Sequence, residues 1–574
     1  MLSDEQRRFF ATQGYLVLPG ALLPAELAAI RRAADAAEAR WRADPALPGV
    51  RRPDLEQVLG IMEYDPVLFD LLEHPRVFPI VRELLGHDLM MLDHDYFMTP
   101  PGAAIPQGWH FDFDLPGVDH PRSRLVVKVF YVLADIPPDG GATLVLPGSH
   151  LTPGGTRLPN SEVPEELPGA VAMALPAGSA YLINDRTYHS AGNNRSRIYR
   201  RLLIYTYGRK WMRMWDEYRP SPELAASAAT PQRRQLLGLT DPYDPPVEWE
   251  GGESEGACRR ATPVGRRAMR VTAPGLAALP APPAPSATPG RQSAPATTGR
   301  RATPAITGRT ATPETPAITA EQRQFFAAQG YLMLPGVLAP AELAAVRRAA
   351  DEAEARWRAD PALPGTRIPE FVEIAAIMEY HPLLADLAEH RRIFPLIREA
   401  LGPDVALVDH AYYITPPGGR IDGTAWHTDV RTRVRGVHHA GSTIMVRAMI
   451  ALGDITAEGG ATLVLPGSHL QADDSAIPAP ATPEELPGAV PLACTAGSAY
   501  FFNGNLLHSP GNNRGAVTRR VLLYNYGHKW MRMWRGHEPS PRLAAAARTP
   551  MRRQLLGLTP PYRGPDAELT LNRK

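Results

Sequence analysis

The chain has 574 residues, 44% of them hydrophobic and 21% charged, values that exclude wholesale disorder and a fibrous architecture. Its 61 basic and 60 acidic side chains nearly cancel, so the broad positive field of a general nucleic-acid binder is absent. Only Cys258 and Cys494 are present, which excludes a disulfide scaffold or a cysteine-based zinc cluster.

From the start of the chain, Ser3 stands before an acidic pair, Asp4 and Glu5, and marks the N-cap of a helix that Gly14 ends. YLVLPG follows as a short strand, and Leu23 to Ala43, rich in Ala, Glu and Arg with apolar residues at helical spacing, as a long amphipathic helix. A further helical stretch is expected over about Pro66 to Leu85. After Leu89 the pattern changes to short β-branched and aromatic runs between Gly/Pro turns: LMMLDHDYFMT, RLVVKVFYVLAD, ATLVLPG, SAYLIND and RRLLIYTYG. Helices first and strands afterwards predict an α+β fold whose β part is a sandwich or jelly roll. No apolar run approaches the ~20 residues of a membrane span, and MLSDEQRRFF has no signal-peptide core, so a cytoplasmic protein without a membrane partner is expected.

The whole pattern is then written again. EQRRFFATQGYLVLPG from Glu5 returns as EQRQFFAAQGYLMLPG from Glu321, GGATLVLPGSHL from Gly140 returns from Gly459, and KWMRMW from Lys210 returns from Lys529. Two domains are expected, 1–245 and 317–574, each large enough to bury its own core, joined by a linker over 246–316. Arg259 to Pro316 holds eleven Pro, no aromatic residue, nine Arg and the single acid Glu314. Such a composition cannot bury enough apolar surface to offset ordering entropy and reads as a disordered tether spanning roughly 40–45 Å. Without aromatics for stacking it reads as a solvated spacer rather than a nucleic-acid arm.

In WHFDFD, His110 and Asp112 stand two apart in an expected strand, whose period puts both on one face. His189 lies 77 residues beyond Asp112, and a sandwich can fold it back beside the pair. Two imidazoles and a carboxylate on one face of a metal suit non-haem Fe(II) with open coordination positions. The second copy offers His427, Asp429 and His508, at an interval of 79. HxD alone is weak, and a surface polar pair plus an unrelated core histidine is the bland alternative. Between copies, however, Phe111, Phe113 and Asp114 have become Thr428, Val430 and Arg431 while all three candidate ligands persist. Drift around unchanged ligands is what a metal requirement produces. Eleven residues after the last histidine come Arg200 and Arg519, each opening a strand-like run. A guanidinium there suits the distal carboxylate of a dicarboxylate co-substrate in a bidentate fork; a structural Arg at a strand end is the alternative. Their neighbours Arg201 and Arg520 point to the other face.

HxD, then His, then Arg eleven residues on, with GGxTLVLPGSH between, resembles the phytanoyl-CoA hydroxylase family of Fe(II)/2-oxoglutarate dioxygenases, nearly end to end in both copies. The resemblance implies a double-stranded β-helix core with flanking helices in each copy, and iron on His110, Asp112 and His189 and on His427, Asp429 and His508. It implies the C5 carboxylate of 2-oxoglutarate on Arg200 and Arg519. It implies, with O2, hydroxylation of an unactivated C–H of a small-molecule substrate with release of succinate and CO2. Related halogenases vacate the carboxylate position, and Asp112 and Asp429 disfavour that chemistry. Many members carry Ser or Thr two residues after the distal histidine; here those positions are Ala191 and Pro510, and Lys128 and Arg447 stand as loose candidates for the missing donor. The alternatives to two active copies are one catalytic and one structural half, or a non-catalytic β-helix binding module.

His150 and His469, in PGSH, read as loop histidines supporting the fold rather than as ligands, and Trp109 and Trp426 as packing residues. The KWMRMW stretches read as core or lid packing, or as an apolar substrate wall. Asp185 to Tyr188 becomes Gly504 to Leu507, and Tyr131 becomes Ile450, which predicts a more polar first pocket. Asp93–His94 and Asp409–His410 lie in the strand before the metal pair, in reach of the cavity but of unassigned orientation.

Overall fold

The structure, a computed structural model, describes residues 1–104, 108–112, 123, 125–152, 158–215, 218–247, 319–420, 426–434, 436–438, 440–472, 475–478, 480 and 482–560. The expected tether and Cys258 lie outside the described residues.

Each half begins with helices whose ends are written locally. In α1 (Asp4–Gln13) the Ser3 side chain accepts the Gln6 N–H while Gln6 reaches back to the Ser3 N–H, and Gly14 closes the helix at φ 82°. The long helix α2 (Pro24–Ala43) buries a stripe of Ile30, Ala33, Ala34, Ala37 and Trp41. The continuous helix expected over 66–85 is broken instead. Helix α3 (Pro66–Asp70) passes into a 3₁₀ turn, Leu71–Glu73, before α4 (Phe78–Leu85). His74 takes extended backbone there (φ −50°, ψ 122°), which suits Pro75 after it, but the second half breaks identically at His390 with Arg391 in the proline's place.

The strands of the first half are β1 (Tyr15–Leu18), β2 (Gly49–Arg51), β3 (Glu56–Leu59), β4 (Leu89–Thr99), β5 (Val126–Val132), β6 (Thr143–Val145), β7 (Val171–Ala172), β8 (Ala180–Asn184), β9 (His189–Ala191) and β10 (Arg200–Arg209). They form an antiparallel seven-stranded sheet, β1-β8-β5-β10-β4-β3-β2, facing a three-stranded one, β7-β6-β9. Helices cover the outer face of the large sheet, burying Val127, Val129, Tyr131, Leu203 and Tyr205. Alternate residues point between the sheets, where Phe130, Val132, Ile183, Leu202 and Ile204 pack together. This is the double-sheet jelly roll that the strand pattern predicts.

The second half repeats the plan as β11 (Tyr331–Leu334), β12 (Gly365–Ile368), β13 (Phe371–Ala375), β14 (Val405–Thr415), β15 (Val446–Ala451), β16 (Thr462–Val464), β17 (Val490–Pro491), β18 (Ala499–Asn503), β19 (His508–Pro510) and β20 (Arg519–His528), in the same order within its two sheets.

In the KWMRMW stretches Trp211, Met212, Trp530 and Met531 are core residues of the junction between the halves, while Trp215 and Trp534 stand over Lys128 and Arg447, 5.2 and 5.5 Å from the ring centroids. Met212 and Met531 pair antiparallel, with Arg213 N–H donating to Trp530 O (2.9 Å) and Arg532 N–H to Trp211 O (2.8 Å). The Trp211 and Trp530 rings lie 5.5 Å apart. Among the described residues no helix is long and apolar enough to cross a membrane.

Candidate metal centres

In each half the small sheet delivers the distal histidine and a single backbone bridge brings the HxD pair to it. His110 N–H donates to His189 O (2.9 Å) and His189 N–H to His110 O (3.0 Å); His427 and His508 exchange the same pair at 3.0 Å each. Such a pairing sets the imidazoles side by side, 4.3 Å between ring centroids in both halves. The aspartate arrives differently from the strand pleat expected of HxD. After the bridge the chain turns, and in the second half Thr428 caps a short helix, α5 (Asp429–Arg433), by accepting the Arg431 N–H. The carboxylate therefore meets the imidazoles across a turn. Donor atoms of His110, Asp112 and His189 lie within 4.8 Å of one another, as do those of His427, Asp429 and His508.

The protonation states suit a divalent cation. Nδ1 of His110 lies 3.0 Å from Gly108 O, that of His189 2.8 Å from Thr187 O and that of His508 2.9 Å from Leu506 O. Those carbonyls take an N–H, which leaves Nε2 as the lone-pair nitrogen. Burial, reinforced by the partner imidazole, lowers His110 to about 4 and His508 to about 3, so both rings are neutral at neutral pH. Nε2 of His508 in the second site and Oδ2 of Asp112 in the first are buried without a hydrogen-bond partner, which costs free energy unless something occupies each site. Burial works to raise the Asp112 carboxyl, but Lys128 and the two imidazoles outweigh it and hold it below the ordinary carboxylate value. The donors fit a ferrous ion.

Lys128 and Arg447 occupy matched inward-facing positions on β5 and β15. Lys128 Nζ donates to Asp112 Oδ1 at 2.7 Å, and Arg447 Nη2 lies 2.8 Å from Asp429 Oδ2. The structure thus sets both cations on the metal-site carboxylates. Arg200 and Arg519 are the first residues of β10 and β20, buried, and point between the sheets. Arg200 donates to Gly141 O (2.5 Å), and Arg519 to Thr462 Oγ1 (3.0 Å) and Tyr500 OH (3.1 Å). Nε of both arginines is buried without a partner. Arg201 and Arg520 turn to the helix side, to Asp35 and Glu38 and to Asp351.

Sequence reasoning missed the hydroxyls around these arginines. Thr143 and Tyr181 (2.8 Å apart) and Thr462 and Tyr500 (3.0 Å apart) share the space between the sheets with Arg200 and Arg519. Their survival in both copies, within GGATLVLPG and GSAY, was the available signal.

The pocket walls need correction at Tyr131. Its ring points to the helix side, 5.8 Å from Tyr205, because the strand period that aims Lys128 inward aims Tyr131 outward; Ile450 lies likewise in the outer core. Asp185 does stand near the first site, fully buried and pushed up to about 8 by burial and by Asp112. At its counterpart Gly504 a Cβ would sit 2.7 Å from Val430 Cγ2, so no side chain fits. Arg186 turns away, to His150 O and Thr152 O. Elsewhere polarity is exchanged rather than removed: Gln57, which donates to Asp95 at 2.6 Å, gives way to Glu373, which accepts from Arg535 at 2.8 Å, and Asp95 itself to Ala411. His94 and His410 face the helices and accept the N–H of Met62 and Met378; their Asp neighbours face inward. His150 and His469 hold the chain through Ala11 O and Ala327 O, and the Trp109 and Trp426 indoles donate to Pro164 O and Pro483 O. Cys494 is half-buried on a bridge to Ile455.

A jelly roll that places two imidazoles and an aspartate in one buried cluster offers the donor set that suits a mononuclear non-haem iron oxygenase. Residues 10–202 and 326–521 each match the phytanoyl-CoA dioxygenase (PhyH) family model, and the chain belongs to that family, whose dioxygenases use Fe(II), 2-oxoglutarate and O2. It is 28% identical over 249 residues to an uncharacterized protein of Mycobacterium tuberculosis, 41% of this chain and 88% of that protein. It is 26% identical over 246 residues to an ectoine dioxygenase of Stutzerimonas stutzeri, 38% of this chain and 78% of that enzyme. The solved structure of HygX from Streptomyces hygroscopicus with nickel and 2-oxoglutarate is similar at 20% identity and a TM-score of 0.32, over 39% of this chain and 94% of that one.

Proposed function

We propose that both halves are working sites that hydroxylate unactivated C–H bonds of small metabolites, and that they take different substrates or successive oxidation states of one. The observation that carries this reading is the duplicated triad: the same three side chains come from the same places in both halves while the walls around them differ. His110, Asp112 and His189, and His427, Asp429 and His508, would each hold one ferrous ion. Arg200 with Thr143 and Tyr181, and Arg519 with Thr462 and Tyr500, would take the distal carboxylate of 2-oxoglutarate, the hydroxyls replacing the one lost at Ala191 and Pro510. An ion so held supplies, with O2, C–H hydroxylation coupled to release of succinate and CO2.

The chain's own residues prepare the site. Backbone carbonyls fix the imidazole tautomers, and Lys128 and Arg447 serve as positioning residues for the metal carboxylates, each holding the aspartate oxygen that lies 3.7 Å from Nε2 of the distal histidine. Residues 1–245 and 317–574 act as the two catalytic domains and 246–316 as their tether. The relative named for ectoine supports a small polar substrate.

The test is anaerobic reconstitution with Fe(II), then 2-oxoglutarate, O2 and ascorbate. Two ions per chain are expected, one in His110→Ala, with succinate release persisting from the other half. If His110→Ala or His508→Ala alone abolishes all turnover, one half is structural; if the parent chain takes up no ion and releases no succinate, the protein is a binding module.

A further inference from the structure

The second metal centre is not built from the second half alone. Asp429 opens α5, a helix of five residues, too short to hold its own shape in water. The apolar residues that follow, Val430, Val434, Val437, Ile444 and Met445, are all buried. They belong to an apolar cluster shared by the halves, with Met90, Leu92, Trp211 and Met212 of the first and Val408, Trp530 and Met531 of the second, whereas Ile374, Ile397, Leu407 and Tyr524 form the second half's separate core. Two contacts from the first half, one a hydrogen bond and one a close steric approach, reach the same segment. His438 N–H donates to Ser123 Oγ at 2.8 Å. Gly436, at φ +85°, lies so close to Arg209 that a Cβ there would sit 2.1 Å from the guanidinium Nε. Arg209 is itself anchored in the first half through Leu85 O. At the other end the segment reaches the site: Val430 Cγ2 and Met445 Cβ both crowd Gly504, four residues before His508.

We propose that the first half braces the aspartate arm of the second metal centre, with Arg209 and Ser123 as positioning residues that hold the segment from Asp429 to Met445 so that Asp429 faces His427 and His508. The inference rests on the metal reading above and adds a dependence across the halves: the affinity of the second site for its ion is set partly by residues of the first.

The test uses the full chain carrying His189→Ala, which keeps the second site, titrated with Co(II) and followed by visible absorption. Adding Arg209→Ala is expected to weaken Co(II) binding about tenfold or more, in the range of outer-shell losses. In the reciprocal chain carrying His508→Ala, which keeps the first site, Arg209→Ala should leave Co(II) binding unchanged. Unchanged binding at the second site, or equal loss at both, would overturn the proposal. Hydrogen exchange of the metal-free parent supplies a readout independent of any ion: peptides carrying Val434 and His438 should lose protection in Arg209→Ala while those of β14 and β20 keep theirs, and retained protection would refute the brace. Ser123→Ala, which deletes one hydroxyl, serves if Arg209→Ala lowers the melting temperature. Should the His189→Ala chain bind no Co(II), the metal reading fails, and the exchange result still decides the brace.

Discussion

Arg213 and Arg532 cross from one half into the other and end on matched carbonyls. Arg213 donates to Gly557 O (2.8 Å), Thr559 O (2.9 Å) and Lys529 O (3.1 Å), and Arg532 to Gly238 O (3.1 Å) and Lys210 O (3.4 Å). The glycines follow the last helices, Pro231–Leu236 and Pro550–Leu555, so each cation satisfies carbonyls just past the helix end of the opposite half. Arg213→Ala should lower the unfolding free energy by about 1.5–3 kcal/mol, and Arg532→Ala by somewhat less because its contacts are longer. Urea denaturation followed by tryptophan fluorescence reads this directly, since Trp211 and Trp530 sit at the junction; a loss under ~0.5 kcal/mol in Arg213→Ala would show that water replaces the cation without cost.

Lys128→Met keeps the length of the stem and removes the charge on Asp112. Ferrous ion affinity at the first site should fall about 10- to 100-fold while the second site keeps its own. Equilibrium dialysis against Fe(II) under anaerobic conditions measures both, and Arg447→Met should give the mirror-image result.

Arg519→Lys replaces a fork by a point donor beside Thr462 and Tyr500. Binding of 2-oxoglutarate at the second site should weaken by roughly 10- to 100-fold, equivalent to about 1.4–2.8 kcal/mol. Tyr500→Phe should cost less, about tenfold. Calorimetric titration of the metal-loaded His189→Ala chain separates the two; an unchanged Kd in Arg519→Lys would move the co-substrate away from this arginine.

Burial lowers His94 and His410 from 6.5 to about 3, and each Nδ1 accepts a backbone N–H. Above pH 6.5 neither folded nor unfolded chain protonates them, so they contribute no pH dependence there. Below it the unfolded chain takes protons the folded one refuses, and stability should fall by about 1.4 kcal/mol per histidine for each pH unit down toward pH 3. His94→Asn offers an oxygen to Met62 N–H but cannot be protonated in this range. Its metal-free stability should fall less steeply between pH 6 and 4 than the parent's; parallel curves would exclude His94 as an acid-labile group.

Much of the fold was legible because the signals were local or periodic. The Ser3 cap, the Gly14 stop, the Ile30–Trp41 stripe and the five strand runs all reappear as elements, and the copy-to-copy comparison singled out the six ligand candidates before any geometry existed. What escaped reading depended on partners far away in sequence. Strand period alone put Asp112 beside His110 but could not foresee a turn after one bridging residue, nor the cap from Thr428. Tyr131 counts among the pocket differences when the copies are compared, but alternation along the strand sends it to the helix side, opposite to Lys128. Asp185 was found by contrast with Gly504, but the Thr and Tyr hydroxyls around Arg200 and Arg519 needed two strands from different sheets to be superposed. The KWMRMW pairing joins residues more than 300 positions apart, and no local pattern announces it.

The Met212–Met531 ribbon is self-complementary: the same patch appears on both sides and meets its own copy, as in a twofold-symmetric dimer. Two separate polypeptides joined in that way would come apart on dilution. Written into one polypeptide, the partner is present at an effective concentration on the order of millimolar, so the assembly holds at any expression level, and each copy is free to accumulate its own substitutions without losing its mate.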